Sequence, residues 1–306
     1  MDAILPTREQ AEELIPPPDG IVCRIAGDAR LFAASSYAVI LQVAHPTVGA
    51  GVSEHSNFRA DPWGRLLRTL DYTTCTIYGG PELAWDVGRR VREMHKQIKG
   101  VRSDGVRYHA LEPKAYAWVH ATLAEAIVKG HQTFASPRLS DAEVEQFWRE
   151  WLPAGRLVGV REGDLPETWA EFRKYFDGMV RDELQHTDSV RDVIETLAKP
   201  TRPPMPWLRE GAWKVVRMPA SRGGRVALEG LLGPELRERF GIEWTRAKDR
   251  EMRAITAISR RSGPLMPKAA KNFGPSYLGW RRDAIARGEV ASGKGAKPGI
   301  RDTAAA

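Results

Sequence analysis

The chain has 306 residues, 42% hydrophobic and 28% charged, a composition typical of soluble globular proteins rather than disordered ones. Its formal net charge is +7, but Arg and Lys alternate with Asp and Glu, and no basic run with interleaved aromatic residues is present. We therefore predict neither a nucleic-acid nor a membrane partner. Two cysteines without CxxC spacing exclude a disulfide framework and a cysteine zinc site.

The start of the chain favours a cytoplasmic protein, because it carries acidic residues and lacks the apolar segment of a secretory signal. The longest apolar stretch, residues 31–44, is too short to span a bilayer and predicts a buried helix. This helix is expected to stop before His45-Pro46, since the residue before proline is disfavoured in the α conformation.

Helical periodicity dominates the remaining chain up to about residue 265. Ser140 and Glu143 form a capping box that opens one of these helices. The predicted helices are 62–78, 81–100, 113–130, 140–151, 166–181 and 189–198, followed by a proline-rich break at 200–206 and a helical region at 207–265.

These elements predict an all-α fold with one domain over residues 25–286. Residues 1–24 are an N-terminal extension, and the Gly/Ala/Lys-rich tail 287–306 is predicted to be disordered. No GxGxxG or GxxxxGK[ST] loop is present, which disfavours nucleotide binding through a Rossmann or P-loop element.

His95 lies on the apolar stripe of the helix predicted at 81–100, whose opposite face is charged. Pro81 suits the first turn of this helix, and Gly100 suits its C-terminal cap. A buried imidazole needs a partner, because an unpaired buried polar group costs about 1–3 kcal/mol. From spacing alone, a hydrogen-bonded core histidine is favoured over a metal ligand.

Two further histidines have apolar surroundings. His45 ends the first buried helix, where it can cap the last carbonyl groups. His120 lies inside the apolar helix 113–130 and is expected to be a hydrogen-bonded core residue.

The helix at 62–78 carries a polar stripe. Arg65, Arg68, Thr69 and Tyr72 follow the spacing i, i+3, i+4 and i+7 and therefore share a face. This face is either solvated, with arginine stems lying along apolar surface, or a set of donors aimed at an anionic or oxygen-bearing group.

One ExxH motif, Glu183 to His186, has the spacing found in di-iron helical bundles. A complete di-iron site needs a second ExxH motif and two further glutamates, and the sequence contains only this one. The di-iron interpretation is therefore the weakest of the enzyme hypotheses. Neither GxSxG nor HExxH is present, so serine hydrolase and zincin chemistry lack support.

Three ordered stretches carry a resemblance to a known family: LQVAHPTVGAGVSEHSNFRADPWGRLLRTLDYTTCTIYGGPELA, then RVREMHKQIKG, then YHALEPKAYAWVHATL. They resemble the catalytic domain shared by bacterial rubber oxygenases (latex clearing proteins) and the fungal farnesyl-cleaving oxygenase of mycophenolic acid synthesis. The resemblance covers roughly residues 25–245 and is densest over 41–123.

The resemblance implies a globin-like fold that holds heme b. His95 matches the proximal iron ligand of the family. The family's distal arginine–x–x–lysine–threonine pattern matches Arg65, Arg68 and Thr69, with arginine in place of the lysine that can bind iron. Arginine stays protonated and is a poor ligand, so the distal iron position is expected to hold water, to be open, or to be filled by another residue.

The leading hypothesis is therefore a heme-dependent oxidoreductase that acts on a small, largely apolar organic substrate with dioxygen or peroxide. Oxidative C=C cleavage is the family chemistry, and dehydrogenation or peroxidase-like oxidation is equally compatible with a histidine-bound iron. Arg65 and Thr69 would shape the distal pocket with Arg68 nearby. His45 and His120 are lesser candidates for propionate contact or pocket lining. A non-catalytic heme-binding or gas-sensing module is the alternative, and a homodimer is possible.

Overall fold

The structure is a computed structural model that describes residues 5–203 and 209–287. Over these ranges the chain forms α-helices and one small antiparallel sheet, which confirms the all-α prediction. The elements are α1 (Ile21–Ile25), α2 (Ser35–Ala44), α3 (Pro46–His55), α4 (Pro62–Tyr78), α5 (Gly80–His95), β1 (Lys99–Val101), β2 (Arg107–His109), α6 (Pro113–Phe134), α7 (Asp141–Trp151), α8 (Trp169–Asp182), α9 (Asp188–Ala198), α10 (Glu210–Leu231), α11 (Pro234–Arg239), α12 (Arg246–Ser262), α13 (Lys268–Lys271) and α14 (Gly274–Ala286).

Local capping signals located several helix starts correctly. The Ser140 hydroxyl accepts a hydrogen bond from the Glu143 amide at 3.3 Å, and the Glu143 carboxylate accepts one from the Ser140 amide at 2.9 Å, so the predicted capping box opens α7. The helix predicted at 62–78 is α4 with the same bounds.

The helix that carries His95 is shorter than its periodicity predicts. It ends at His95, and Gly100 lies in β1 opposite Tyr108 instead of capping a helix. A Cβ at position 100 would lie 2.5 Å from the Glu54 carboxylate and 2.9 Å from the Tyr108 hydroxyl. The pairing of β1 with β2 needs glycine at this position, because the partner side chains approach so closely. Helical periodicity cannot predict this pairing, since it depends on residues that are distant in sequence.

His45 connects two helices rather than only ending one. Its backbone is extended, with φ −71° and ψ 125°, and Pro46 opens α3 immediately afterwards. The sequence analysis missed α3. The His45 side chain makes no capping hydrogen bond, so the expectation that it caps carbonyl groups is wrong.

The core is built around α6, which packs against α2, α7 and the 3₁₀ turn Ala29–Ala34. Its most deeply buried large side chains are aromatic and aliphatic, among them Trp118, Trp148, Trp151 and Phe172. Ala11 and Leu14, from the region before residue 25, pack in a satellite cluster against Ala84 of α5.

Two of the predicted segments lie partly outside the described residues. Part of the proline-rich break, residues 204–208, and the tail 288–306 lie outside the described residues. Within the described ranges, no single helix is long and apolar enough to cross a membrane; one pair, Ala29–Ala44 with Pro46–His55, passes a length and composition test but is bent by 103°.

Candidate functional site

Helices α4 and α5 form the hairpin that carries most of the candidate site. The Asp61 side chain accepts a hydrogen bond from the Gly64 amide at 2.8 Å and fixes the start of α4. The hairpin turns at Gly79 and Gly80. A Cβ at Gly79 would lie 2.4 Å from the Cys75 carbonyl oxygen, and Gly80 has φ +75°, so both positions favour glycine.

A buried polar cluster holds the other side of α4 against α14. Asp71 accepts hydrogen bonds from the Tyr277 hydroxyl at 3.0 Å and from Arg281 Nε at 2.5 Å. The Arg281 side chain is 8% exposed and the Asp71 side chain 30%, so this ion pair is partly shielded from solvent. The opposite face of α4 faces side chains of α5 and α6.

His95, the last residue of α5, has an oriented ring. Its Nδ1 lies 2.7 Å from the Val91 carbonyl oxygen. Because a carbonyl only accepts, we infer that Nδ1 carries the proton and that Nε2 presents its lone pair. Nε2 has no hydrogen-bond partner among the described residues. The ring also packs edge-on against Tyr116 of α6, with centroids 5.5 Å apart.

The surroundings keep His95 neutral. Burial lowers the pKa of His95, the hydrogen bond to Val91 opposes this effect, and the positive charge of Arg65 lowers the pKa further. A neutral imidazole with one nitrogen anchored to a carbonyl group and the other free is the arrangement that metal-binding histidines adopt.

Arg65 is a desolvated cation without a counter-ion. Its guanidinium donates to the Thr69 hydroxyl one helical turn away, and no carboxylate pairs with it among the described residues. Burial lowers the pKa of Arg65, and the charge of Arg68 lowers it further. An uncompensated buried charge is costly, so this position favours an anionic or strongly polar oxygen ligand.

Two tyrosines complete the site: Tyr72, which the sequence analysis placed on the polar face of α4, and Tyr116, which it did not assign to the site. The Tyr116 hydroxyl is buried and has no hydrogen-bond partner among the described residues. Burial raises the pKa of both Tyr72 and Tyr116, and the Tyr72 hydroxyl raises the pKa of Tyr116 further. Tyr116 lies four residues before His120, on the same apolar helix, but nothing in its spacing marks it as a partner of His95.

The α4 residues of the site are partly accessible yet desolvated. Every residue from Arg65 to Thr73 is partly accessible and none is fully buried, although α4 packs against α1, α5 and α14. Arg65 and Tyr72 are nevertheless strongly desolvated. From this combination we infer a cleft beside α4, and Leu66 and Leu70 belong to the same stretch.

Arg68 turns away from this cleft. Its Nη2 donates to the Asn57 side chain at 3.3 Å, and its Nη1 lies 3.8 Å from the Asp61 carboxylate. Of the three distal candidates, the structure thus brings Arg65 and Thr69 together and pairs Arg68 with other residues.

His45 and His120 make different contacts from His95. His45 is buried and neither of its ring nitrogens has a partner among the described residues. Burial lowers its pKa, and the carboxylates of Glu112 and Glu183 oppose that shift. His120 stacks on Trp151 at 5.0 Å, and its Nε2 lies 3.3 Å from the Trp151 carbonyl oxygen. Their assignment as cofactor contacts stays a prediction.

The described residues give no support to a di-iron site. They contain no group of three or more His, Cys, Asp or Glu side chains placed to hold a metal ion. Helix α8 ends at Asp182, so Glu183 and His186 do not share a helix face; Glu183 pairs with Lys114, and His186 packs on Phe240 at 5.6 Å.

An all-helical fold with an oriented histidine beside an arginine that lacks a counter-ion favours a ligand-binding class of protein. Comparison with known proteins identifies the family. Residues 23–261 match the model of the family described as "ER-bound oxygenase mpaB/B'/Rubber oxygenase, catalytic domain". The chain belongs to this family, which confirms the resemblance in its sequence motifs.

Two mycobacterial proteins are similar to this chain. They are the uncharacterized protein Mb2261 of Mycobacterium bovis and the uncharacterized protein Rv2237 of Mycobacterium tuberculosis. Each is 28% identical over 239 residues, which cover 77% of this chain and 89% of the relative. No solved structure matches the chain. Membership in an oxygenase catalytic-domain family supports an enzyme.

Proposed function

We propose that this protein is a heme b-dependent oxidoreductase that oxidises a small, largely apolar organic molecule, with His95 as the proximal iron ligand. The observation that carries the proposal is the state of His95: neutral, anchored through Nδ1 to Val91, and free at Nε2. Imidazole nitrogen is the commonest protein ligand of heme iron, and the anchored second nitrogen raises its basicity.

The other residues of the cleft fit a heme. Arg65 is a cation that lacks an anionic partner, and heme carries propionates and binds oxygen species that can supply one. The unpartnered Tyr116 hydroxyl is a further donor beside the His95 ring. Leu66 and Leu70 offer apolar surface for the porphyrin or the substrate.

When bound, heme supplies the redox chemistry, and the chain's own groups set the conditions for it. His95 is held in one tautomer by Val91, so its Nε2 keeps a fixed direction. Arg65 is held by its hydrogen bond to the Thr69 hydroxyl, and its remaining guanidinium N–H groups can hydrogen-bond and polarise an oxidant. The leucines of α4 bind the apolar substrate and exclude water from it.

Oxygen consumption by hemin-reconstituted protein tests this function. The protein is mixed with a panel of apolar alkenes under dioxygen or hydrogen peroxide, and products are identified by mass spectrometry. We expect substrate-dependent consumption of one oxidant and a substrate-induced shift of the Soret band. Bound heme with neither a shift nor a product across the panel would favour a non-catalytic heme module, and failure to bind hemin would contradict the proposal.

A further inference from the structure

A cationic cleft that contains none of the residues around His95 lies where the end of α12 meets the segment before α7 and the turn that carries Arg30. Its volume is about 290 Å³. It is lined by Arg30, Ser136, Arg260, Gly263, Pro264 and Lys271. Three of these residues are cations and none is acidic, so the cleft has an excess of positive charge.

Arg30 contributes a guanidinium whose bonding is incomplete. Asp28 accepts from its Nε at 3.0 Å and from its Nη2 at 2.5 Å. The third nitrogen, Nη1, is buried and has no acceptor among the described residues. It lies against Gly263, where a Cβ would come within 2.8 Å of it. The side chain is 10% exposed, so this donor group is held in place at the wall of the cleft.

Arg260 is similarly unsatisfied. Its Nη2 donates to the Gln132 carbonyl oxygen at 2.7 Å, whereas its Nε is buried without an acceptor among the described residues. Burial lowers the pKa of Arg260, and the nearby charge of Arg138 lowers it further. Neither Arg138 nor Lys271 has an ion-pair partner in the described ranges. Among the described residues, Asp28 is the carboxylate that forms an ion pair with one of these four cations, Arg30.

We propose that this cleft binds a phosphate group. Two arginines and a lysine converge on one concave space with a free hydroxyl, Ser136, beside them, and these are the donors that hold phosphate in proteins. The volume suits a phosphomonoester or a diphosphate. The proposal is independent of the heme hypothesis, since it involves none of the residues of the α4–α5 cleft.

The site joins the C-terminal part of the chain to Arg30 and Ser136. The match to the family ends at residue 261, and Gly263, Pro264 and Lys271 follow it. The next residues attach the chain to its N-terminal part, because the Phe273 amide donates to the Gly27 carbonyl oxygen at 2.8 Å, and α14 then pairs with Asp71 of α4. A phosphate held between Arg30 and Lys271 would therefore also fasten this C-terminal segment.

Calorimetric titration of the full chain with inorganic phosphate and pyrophosphate tests the proposal, at constant ionic strength set with sodium chloride. We expect saturable binding and a rise in the thermal midpoint. Lys271→Gln and Arg260→Gln should each weaken binding by about tenfold or more, the usual effect of losing a charge-assisted hydrogen bond. Lys214→Gln removes an exposed cation from α10 and should leave binding unchanged. Lys271 is exposed, so its variant is expected to fold.

A second arm distinguishes a free phosphate from a lipid headgroup. Vesicles of phosphatidylcholine with and without phosphatidic acid are sedimented with each variant. Sedimentation that requires phosphatidic acid and is lost in Lys271→Gln, without binding of free phosphate, would assign the cleft to a headgroup. No binding of either source, or equal binding by wild type and the Arg260→Gln/Lys271→Gln double variant, would overturn the proposal.

Discussion

His95 and His120 lie in similar sequence contexts, each on the apolar face of a helix, yet the surroundings of the two imidazole rings differ. The His120 ring is buried and stacked on Trp151, whose carbonyl oxygen lies 3.3 Å from Nε2, and its Nδ1 has no hydrogen-bond partner among the described residues. The His95 ring has one anchored nitrogen, one free nitrogen and a cation nearby. Each ring therefore leaves one nitrogen without a partner, but the His120 ring is 3% exposed and packed in the core, whereas the His95 ring is partly accessible and lies beside the charge of Arg65. We infer that His95 is the histidine open to a ligand.

The two regions also differ in whether a buried charge has a partner of opposite charge. In the core, buried Glu125 accepts from the Tyr37 hydroxyl at 3.2 Å and from Arg173 at 2.6 Å, so its charge is compensated. In the α4–α5 cleft, Arg65 is desolvated and no carboxylate compensates it among the described residues. Uncompensated groups of this kind destabilise the free protein and are retained where a ligand completes them.

Replacement of His95 should have the largest effect. His95→Ala removes the proposed iron ligand and leaves a small apolar residue at the end of α5, so the fold should persist. Hemin affinity should fall by about a thousand-fold, equivalent to ~4 kcal/mol, because even losing a supporting contact to a ligand costs 10–100-fold. Titration with hemin, followed at the Soret band, measures this change. His186→Ala, at an exposed histidine, is the matched control; equal affinity in the His95 variant and this control would refute the assignment.

His120 should instead make the free energy of unfolding depend on pH in the acidic range. Burial lowers its pKa to about 4, with the Trp151 carbonyl opposing the shift. The unfolded imidazole takes up a proton near pH 6.5, whereas the folded one stays neutral until the pH approaches 4. The free energy of unfolding is therefore highest above pH 6.5 and decreases as the pH falls towards 4. Urea unfolding at pH 7 and pH 4.5 should show a loss of roughly 2 kcal/mol from this residue.

The variant His120→Gln, which does not titrate, isolates that contribution. It should be destabilised at pH 7 but should show a smaller difference between the two pH values than the wild type. An identical pH dependence in both proteins would show that His120 is not held neutral in the folded state.

Arg65→Met should separate function from stability. Turnover of the reconstituted enzyme should fall by about 10–100-fold, because a charge-assisted donor is lost, while the Soret band remains. The heme-free protein should become more stable by about 1 kcal/mol or more, since an uncompensated buried charge is removed. Steady-state kinetics and urea unfolding measure the two effects. A less stable apo protein would indicate that Arg65 has a structural role.

Arg68→Lys should have the smallest effect. Arg68 contacts Asn57 and Asp61 rather than the cleft, and such partly exposed pairs contribute less than about 1 kcal/mol. The ferric absorption spectrum should remain that of the wild type. A shift to a six-coordinate low-spin spectrum would show that the side chain at position 68 reaches the iron.

Local signals in the sequence were sufficient for much of the fold. The Ser140 capping box, the bounds of α4 and the apolar face that carries His95 depend on residues within one or two helical turns. The short strands and α3 were missed, because the pairing of Gly100 with Tyr108 and the extended backbone of His45 depend on neighbours elsewhere in the chain.

The site was predictable only in part for the same reason. The face shared by Arg65 and Thr69 follows from helical spacing, and the pair is confirmed as a hydrogen bond. The spacing also placed Arg68 on that face, yet Asp61 and Asn57 draw its long side chain away. The partnership of His95 with Tyr116, and of Asp71 with Arg281 some 210 positions later, required the three-dimensional structure.

The central claim is that His95 Nε2 binds the iron of a heme. The most direct measurement is the absorption spectrum of hemin-reconstituted wild type and His95→Ala, with and without dithionite and with added imidazole. We expect about one heme per wild-type chain with a redox-sensitive Soret band, its loss or displacement in the variant, and partial restoration by imidazole. A wild-type spectrum in His95→Ala, or no Soret band in the reconstituted wild type, would contradict the account.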